Sequence, residues 1–381
     1  MNDTPPIVNS FNEWDPLEEV IVGVIEGSTI PEWHVTLEAT MPKEHQNLFR
    51  QNGGKLFPES QISAAKKELD DFCHILESEG VTVRRPDSTY FNKPYSSPEW
   101  TAQGGFYAAM PRDILLVIGN EIIESPMAWR SRYFEIVAYR SLLKDYFEKG
   151  AKWSAGPKPL LSDRLEYAIT EHEPVFDAAD FLRCGKDVFV QQSNVTNRLG
   201  IEWLQRHLGS TYRIHTLQFE DQHPMHIDAT IMPLAPGKLL INPDRVKEIP
   251  PMFKGWDILP APRPAIPDEQ LLYFTSKWIS INVLMLDEKR VIVEKNELPL
   301  ISSLKQWGFK VILCSFRNFN TFGGSFHCAT VDIRRMISSR RLNLPDQIFP
   351  IALSSKSISL VTQIRVQEPS IIGSSINASL G

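Results

Sequence analysis

The chain has 381 residues, of which 42% are hydrophobic and 23% charged, and its formal net charge is −6 with a pI near 5.9. This is an ordinary globular composition, and the length allows one large domain or two to three smaller ones. The acidic balance argues against a general nucleic-acid binder, which normally carries a basic stripe. The N-terminal residues lack a basic stretch followed by an apolar one, so we expect no signal or transit peptide.

The four cysteines lie far apart along the chain, at Cys73, Cys184, Cys314 and Cys328. Without a secretory signal, this spacing favours reduced thiols in a cytoplasmic protein. Apolar runs such as residues 279–286 are too short to span a bilayer. The sequence contains no CxxC, HExxH or Walker A motif and no clean GxGxxG, so we expect no metal and no organic cofactor.

Amphipathic stretches that end near a glycine and run into a short apolar strand recur along the chain. They cover residues 64–86, 194–219, 248–262 and 296–316. The glycines Gly80, Gly209, Gly255 and Gly308 stand where helix C-caps belong. Short strands are predicted before these helices, at residues 19–23, 114–119, 187–192, 238–243 and 290–295. The last three recur at a spacing of roughly 50 residues, which indicates a structural repeat.

About five strand–helix–strand units would close into a ring around a central cavity or form an open doubly wound sheet, and the pattern fits both. No Gly/Ser-rich linker separates residues 9 and 335, so we expect one α/β domain over residues 1–336. The longest predicted helix covers residues 127–150. Residues 337–381 are rich in serine and lack periodicity, which is typical of a poorly ordered or divergent tail.

The stretch "FGGSFHCATVD" places Cys328 behind Gly323 and Gly324, beside a histidine. A tight loop could present Cys328 as a nucleophile, or the thiol could simply be buried next to a turn. In "HPMHIDAT", His226 and Asp228 are two residues apart, so on a strand both would point to one face. That pair suits proton transfer beside a cation, but a structural histidine at the end of a sheet would read the same way.

Carboxylates recur in apolar settings. Asp177 and Asp180 flank two alanines and need partners there, because an unpaired buried charge is costly. His226 is a natural partner for one of them, as in a triad, and the alternative is an N-cap aspartate. Asp113 stands directly before a strand, where a surface turn residue is the usual case. Arg245 is predicted at a strand-to-helix turn, either as an ordinary surface residue or as a clamp for a carboxylate.

This excess of carboxylates around a cysteine and a histidine discriminates between classes of enzyme. A cysteine protease needs hydrogen-bond donors for its oxyanion and no additional anions. Several aspartates near a thiol instead suit a cationic electrophile, and the N–H donors of a guanidinium match paired carboxylates.

Several stretches of the sequence carry a resemblance to a known family. They are "SFNEWDPLEEVIVG", "AMPRDILLVIGNEIIESPMAWRSRYFE", "FDAADFLRCGKDVFVQQSNVTNRLGIEWLQRHL", "PMHIDAT", "NPDR", "SKWISINVLMLDEKRV" and "GGSFHC". On these residues the chain resembles the arginine:glycine amidinotransferase family, guanidino-group-modifying enzymes of the pentein fold, from about residue 8 to residue 335. Amidinotransferases of cyanobacterial toxin pathways, such as those for saxitoxin and cylindrospermopsin, look similar. The resemblance implies a five-bladed β/α propeller in one domain.

The resemblance also implies residue roles. Cys328 would be the nucleophile, His226 the general acid and base, and Asp177 the carboxylate that polarises His226. Asp113 and Asp228 would hold the guanidinium, and Arg245 the α-carboxylate of arginine. Further substrate contacts are implied for Thr275, Ser276, Met225 and His223.

Three positions depart from glycine-accepting members of the family. His223 stands where those members have asparagine, Thr275 where they have serine, and Ala329 where an aromatic residue is expected. We therefore expect a cytoplasmic transferase that moves the amidino group of L-arginine to a secondary-metabolite amine, through an amidino-cysteine and with release of ornithine. Glycine as acceptor, an arginine deiminase that uses water, and a silent guanidine-binding protein are the alternatives. No nucleic acid or membrane is expected as a partner, and a homodimer is left open.

Overall fold

The structure is a computed structural model that describes residues 6–162 and 171–336. The strands are β1 Leu17–Val22, β2 Thr82–Arg84, β3 Tyr95–Ser96, β4 Thr101–Ala102, β5 Leu115–Ile118, β6 Glu121–Glu124, β7 Lys152–Ala155, β8 Phe181–Cys184, β9 Asp187–Gln191, β10 Arg213–Leu217, β11 Ile231–Ala235, β12 Lys238–Ile241, β13 Asp257–Pro260, β14 Leu284–Met285, β15 Arg290–Glu294, β16 Lys310–Cys314 and β17 Thr330–Arg335. The α-helices are α1 Val35–Thr40, α2 Lys43–Asn52, α3 Glu59–Ser78, α4 Pro111–Ile114, α5 Arg140–Glu148, α6 Arg198–Leu208, α7 Leu298–Gln306 and α8 Arg317–Asn320. The predicted tail, residues 337–381, lies outside the described residues, and so the predicted domain boundary stays a prediction.

Five three-stranded sheets repeat one topology. Their strand orders are β17-β1-β2, β5-β6-β7, β8-β9-β10, β11-β12-β13 and β14-β15-β16. In each sheet the first strand pairs antiparallel with the second, and the second pairs parallel with the third. The predicted fivefold recurrence is confirmed. The strand near the N-terminus and the last described strand share one sheet, so a ring of five blades replaces the alternative of one open sheet.

Within each blade, burial decreases from the first strand to the third. The first strands β5, β8, β11 and β14 are buried throughout. The third strands β2, β7 and β13 contain no buried residue, and β10 and β16 contain one each. Since the innermost strand of a blade has protein on both faces and the outermost faces solvent, this gradient places the first strands around the centre.

Crossover segments link the second and third strands of each blade, because parallel neighbours need a long connection. Helix α6 fills this role after β9 and α7 after β15, while α1 to α3 lie between β1 and β2. The predicted helix over residues 127–150 was wrong, since the chain forms 3₁₀ turns at Arg130–Arg132 and Glu135–Tyr139 before α5. Residues 248–255 likewise contain only a 3₁₀ turn, Pro251–Phe253, because prolines precede it. Further 3₁₀ turns are Ala178–Asp180, Gly209–Thr211, Ile227–Ala229 and Lys277–Ile281.

The centre of the ring is filled by buried ion pairs. Nη2 of Arg183 lies 2.6 Å from both Glu13 Oε2 and Asp332 Oδ2. Asp332 also receives Arg112 at 2.7 Å and Arg335 at 2.9 Å. All five side chains are at most 5% exposed. Charges from three blades and the N-terminal segment therefore meet at one point, and removing a single partner would leave an uncompensated buried charge.

No helix in the described part of the chain is both long and apolar enough to cross a membrane.

Candidate active site

Cys328 follows a turn that only small residues can form. Gly323 adopts φ +96°, and a Cβ on Gly324 would lie 2.5 Å from the sulfur of Met110 and 2.8 Å from Cβ of Cys328. The Cys328 backbone N–H donates to Oδ1 of Asn282 at 3.1 Å, which fixes the loop just before β17. The Cys328 residue is only 2% exposed. The absence of a side chain at Gly324 therefore lets the loop before Cys328 pack closely against Met110.

His226 is not on a strand, contrary to the sequence prediction. It precedes the 3₁₀ turn Ile227–Ala229 and has φ 59°, which is uncommon for a residue other than glycine and typical of functional sites. Nε2 lies 3.1 Å from Asp177 Oδ2, and Nδ1 lies 3.7 Å from Asp113 Oδ1. The His226 imidazole therefore has a carboxylate facing each of its ring nitrogens.

Asp177 and Asp180 have different environments. Asp177 Oδ2 accepts the indole N–H of Trp129 at 3.0 Å as well as facing His226. Asp180 accepts the hydroxyl groups of Ser193 at 2.6 Å and Thr196 at 2.5 Å and makes no helix cap. Burial raises the pKa of Asp180 to about 7. Asp177 is thus the aspartate that contacts the histidine, and Asp180 braces the loop behind it.

Asp113 lies on the single turn α4 directly before β5. Its Oδ2 accepts from Nη1 of Arg132 at 2.8 Å, and Arg132 in turn forms a bidentate pair with Glu135 at 2.6 and 3.1 Å. Arg132 Nη1 also lies 3.9 Å from Asp177 Oδ2. One buried guanidinium therefore orients both carboxylates that flank His226.

Asp228 connects the thiol to the central ion pairs. Its Oδ2 lies 3.5 Å from Sγ of Cys328 and 2.7 Å from Nδ1 of His327. The other His327 nitrogen lies 3.2 Å from Glu13 Oε2. Burial would raise the pKa of Asp228, but the hydrogen bond and charge of His327 lower it overall. Asp228 is therefore kept ionised next to the nucleophile.

Burial and the neighbouring carboxylates set the protonation states of Cys328 and His226. Burial, with Asp228 and Asp113 nearby, raises the pKa of the Cys328 thiol to about 12, although a hydrogen bond with His226 opposes the rise. Burial would lower the pKa of His226, but Asp113 and Asp177 raise it well above its usual value. The resting site therefore holds a neutral thiol beside an imidazolium, and His226 alone does not ionise the cysteine.

Two carboxylate oxygens near the thiol have no hydrogen-bond partner among the described residues, Oδ1 of Asp113 and Oδ1 of Asp228. One ligand atom each from Asp113, His226 and Cys328 lies within 4.8 Å of the other two. Such a set could accept a zinc ion. It could equally serve as a carboxylate, a proton carrier and a nucleophile for a cationic substrate.

A cavity of about 280 Å³ collects the other predicted contacts. His223, Met225, Arg245, Thr275 and Ser276 all line it. Its wall includes Met225 and Ala229, which flank the stretch from His226 to Asp228 in the chain, but Cys328 and the other buried groups are not part of that wall. The remaining wall includes Glu38, Thr40, Met41, Pro42, Lys43 and Gln46. No sequence pattern pointed to this segment, because it lies nearly two hundred residues before His223 and Met225 in the chain.

The structure brings together all ten residues singled out from the sequence, in a buried group and a cavity group. It adds Trp129, Arg132, Asn282 and His327, which the sequence analysis did not assign. Of these, His327 stands directly before Cys328 in "FGGSFHCATVD", and Arg132 lies within "AMPRDILLVIGNEIIESPMAWRSRYFE".

Comparisons with known proteins identify the family of the chain. No protein-family model matches the chain. An L-arginine:L-lysine amidinotransferase from Pseudomonas savastanoi pv. phaseolicola is 58% identical over 346 residues, 87% of this chain and 95% of that protein. A mitochondrial glycine amidinotransferase from Danio rerio is 47% identical over 350 residues, 86% of this chain and 83% of that protein.

Solved protein structures are similar to this chain as well. An amidinotransferase of the saxitoxin biosynthetic pathway from Microseira wollei is 52% identical with a TM-score of 0.82, covering 86% of this chain and 97% of its own. A dimethylarginine dimethylaminohydrolase, 14% identical with a TM-score of 0.55 over 83% of this chain and 99% of its own, shares the fold alone. The predicted pentein fold is confirmed. The chain therefore belongs to the amidinotransferase family and is a transferase.

Proposed function

We propose that the chain transfers the amidino group of L-arginine to an acceptor amine through a covalent amidino-Cys328 intermediate. The observation that carries the proposal is a pair of buried carboxylate oxygens without a hydrogen bond among the described residues, Asp113 Oδ1 and Asp228 Oδ1, beside a buried thiol. A buried oxygen that makes no hydrogen bond is costly, and a planar guanidinium supplies donors for both. Its carbon would then lie beside Sγ of Cys328, while Arg245 takes the α-carboxylate.

The same electrostatics allow the substrate to activate the nucleophile. Asp113 and Asp228 raise the pKa of the Cys328 thiol in the empty site. A bound guanidinium neutralises both charges and adds a cation, so it favours the thiolate next to the His226 imidazolium. Binding of arginine should therefore release about one proton per active site, and Cys328→Ala should bind without that release. Calorimetry in buffers of different ionisation enthalpy would measure it.

In the donor half-reaction, the Cys328 thiolate forms a C–S bond to the guanidino carbon. The C–N bond to the side chain of arginine breaks as His226 gives its proton to that nitrogen, and ornithine leaves. The enzyme then carries a cationic amidino group on sulfur, and His226 is neutral. Asp177 holds the imidazole in position and stabilises its protonated form, as a triad carboxylate does.

In the acceptor half-reaction, a neutral amine enters and His226 takes a proton from it as its nitrogen attacks the amidino carbon. The C–S bond breaks, the new guanidine leaves, and the Cys328 thiolate beside a His226 imidazolium is restored. Water in place of the amine would release urea from the amidino-cysteine. A deiminase would instead expel ammonia in the first step and keep the ornithine part on the adduct, so that water then releases citrulline.

We propose a secondary-metabolite amine as the acceptor, with glycine as the alternative. The departures at His223 and Thr275 support this, since both line the cavity, and Ala329 replaces the expected aromatic residue next to the nucleophile. Two relatives are named for lysine and for the saxitoxin pathway, and one for glycine. We further propose a single catalytic domain over residues 1–336, in a cytoplasmic enzyme without a metal, a nucleic acid or a membrane as partner.

The test is intact-protein mass spectrometry after the enzyme is mixed with arginine alone, with ornithine measured in parallel. One amidino adduct on Cys328 and about one equivalent of ornithine are expected, as ping-pong transfer requires. Steady citrulline without an adduct would replace the proposal by a hydrolase. If arginine binds but neither an adduct nor a product forms, the chain would be a guanidine-binding protein. Dialysis against a chelator should leave ornithine release unchanged.

A further inference from the structure

One wall of the 280 Å³ cavity carries a cation and an anion side by side. Nε of Arg245 lies 3.0 Å from Oδ2 of Asp221, and both residues line the cavity. The Asp221 side chain is only 9% exposed and that of Arg245 17%. Asp221 Oδ2 makes no hydrogen bond within the described ranges, so the contact is an ion pair without hydrogen-bond alignment.

Both members of the pair are held in place by other contacts. Asp221 Oδ1 accepts the backbone N–H of His223 at 3.0 Å. The carbonyl oxygen of Arg245 accepts the N–H of Glu220 at 2.9 Å, and Nη1 of Arg245 donates to Oγ1 of Thr230 at 3.2 Å. Within the described residues, Nη2 of Arg245 thus makes no hydrogen bond, and Oδ2 of Asp221 has only its ion pair with Nε of Arg245, for which a ligand cation can compete. The pair is preorganised, which lowers the ordering cost of binding.

An α-amino acid carries its carboxylate and its ammonium on one carbon. It therefore matches a cation and an anion that lie about 3 Å apart, and it replaces their mutual attraction by two charge-assisted hydrogen bonds. We propose that Asp221 binds the α-ammonium group of the amino-acid substrates, while Arg245 binds the carboxylate on the same carbon. This inference rests on the proposed function of Cys328 as the group that attacks the other end of the substrate.

The pairing also selects the class of acceptor. The cavity that ornithine leaves is the one that the acceptor enters, and its Arg245–Asp221 wall is unchanged. An acceptor whose reacting amine lies at the far end of an α-amino acid can fill both positions. Glycine cannot, because its only amine must reach Cys328 and so offers no second ammonium group to Asp221. The acceptor is therefore an α-amino acid with a second amine on its side chain.

The experiment compares substrates that lack one charge. Release of the leaving amine is measured with three donors. These are arginine, which gives ornithine, 5-guanidinopentanoate, which lacks the α-ammonium and gives 5-aminopentanoate, and agmatine, which lacks the carboxylate and gives 1,4-diaminobutane. Wild-type enzyme should prefer arginine over 5-guanidinopentanoate in kcat/KM by about 10- to 100-fold. Asp221→Asn should lose that factor on arginine and change little on 5-guanidinopentanoate. Arg245→Gln should instead spare agmatine.

Matched measurements separate the outcomes. Asp257→Asn removes a carboxylate that pairs with Lys238 at 2.7 Å away from the cavity and should leave the preference intact. An equal loss on arginine and 5-guanidinopentanoate in Asp221→Asn would reduce Asp221 to a residue that only orients Arg245. Equal use of both donors by wild-type enzyme would overturn the proposal without any variant. If no ornithine is released at all, the proposed function fails, and calorimetric binding of ornithine against 5-aminopentanoate still tests Asp221.

The acceptor is tested on the trapped amidino-enzyme. Lysine should discharge it faster than 6-aminohexanoate and glycine, and Asp221→Asn should remove the advantage of lysine over 6-aminohexanoate. Discharge of wild-type enzyme by simple alkylamines as fast as by lysine would contradict the proposed acceptor class.

Discussion

The buried reaction centre and the cavity that leads to it are built in opposite ways. Cys328, His226, Asp177, Asp113 and Asp228 are all at most 7% exposed, and several charged partners hold each carboxylate. In the cavity, His223 and Ser276 are exposed and Thr275 is partly exposed, with few contacts. Changes in the centre should therefore stop the chemistry, whereas changes in the cavity should alter which amine is used.

Replacing the nucleophile should have the largest effect. Cys328→Ala should lower ornithine release by at least about 10³-fold and abolish the amidino adduct, because no other thiol lies in the site. Cys73→Ala, which removes a buried thiol elsewhere, should keep the adduct. An adduct that persists in Cys328→Ala would show that the buried centre is not where covalent chemistry occurs.

Removing the charge that supports the acid should come next. Asp177→Asn should lower kcat by about 10²- to 10⁴-fold. Since Asp177 raises the pKa of His226, its loss should lower that pKa, so the imidazolium needed to protonate ornithine disappears at lower pH. The alkaline limb of the donor half-reaction should therefore shift to lower pH, which a kcat profile measures.

Asp187→Asn is the matched control, because Asp187 lies 2.7 Å from His215 in another part of the third blade. It should leave the pH profile unchanged. A similar loss of kcat in both variants would indicate general destabilisation in place of proton transfer.

A smaller effect is expected one contact further from the thiol. His327→Gln breaks the link between Asp228 and Glu13, which should raise the pKa of Asp228 and weaken its grip on the guanidinium. We expect KM for arginine to rise by about 10- to 100-fold, with an acid limb of kcat/KM at higher pH. His207→Gln, which breaks a histidine–carboxylate contact of 2.7 Å in the second blade, should leave KM unchanged. A loss of kcat alone would contradict this role of His327.

The smallest effect on the donor step is expected at the cavity. His223→Asn with Thr275→Ser should change ornithine release by less than about threefold, because these side chains make few contacts. The same pair should shift the discharge of the amidino-enzyme towards glycine, measured by competition between glycine and lysine. A large loss of ornithine release would mean that the cavity and the centre are not separable.

The sequence predicted much of the fold because the blades are periodic. The helices that end near Gly209 and Gly308 were predicted to within a few residues, since amphipathic spacing and a glycine cap are local signals. The helix over residues 127–150 was wrong for a physical reason. Arg130 and Arg132 are buried there, and their partners at Leu161 and Asp113 favour 3₁₀ turns over a regular helix.

For the site, the sequence identified the reacting groups, but its geometric reason for pairing His226 with Asp228 was wrong. A strand would have aligned the two side chains, whereas a positive φ at His226 turns the histidine towards Asp177. The resemblance to a known family supplied roles that spacing could not. The state of the thiol was not foreseen, because it depends on burial.

The sequence by itself determined the repeating strand and helix units, the small residues before Cys328 and the excess of carboxylates, all of which depend on local order along the chain. The tertiary structure alone decided that the first and last described strands close a ring and that Arg132 and His327 orient the reacting aspartates. It also placed Arg245 beside Asp221 and buried the Cys328 thiol, and this burial raises the pKa of the thiol to about 12. These features depend on which distant groups share a low-dielectric space, and no local pattern encodes that.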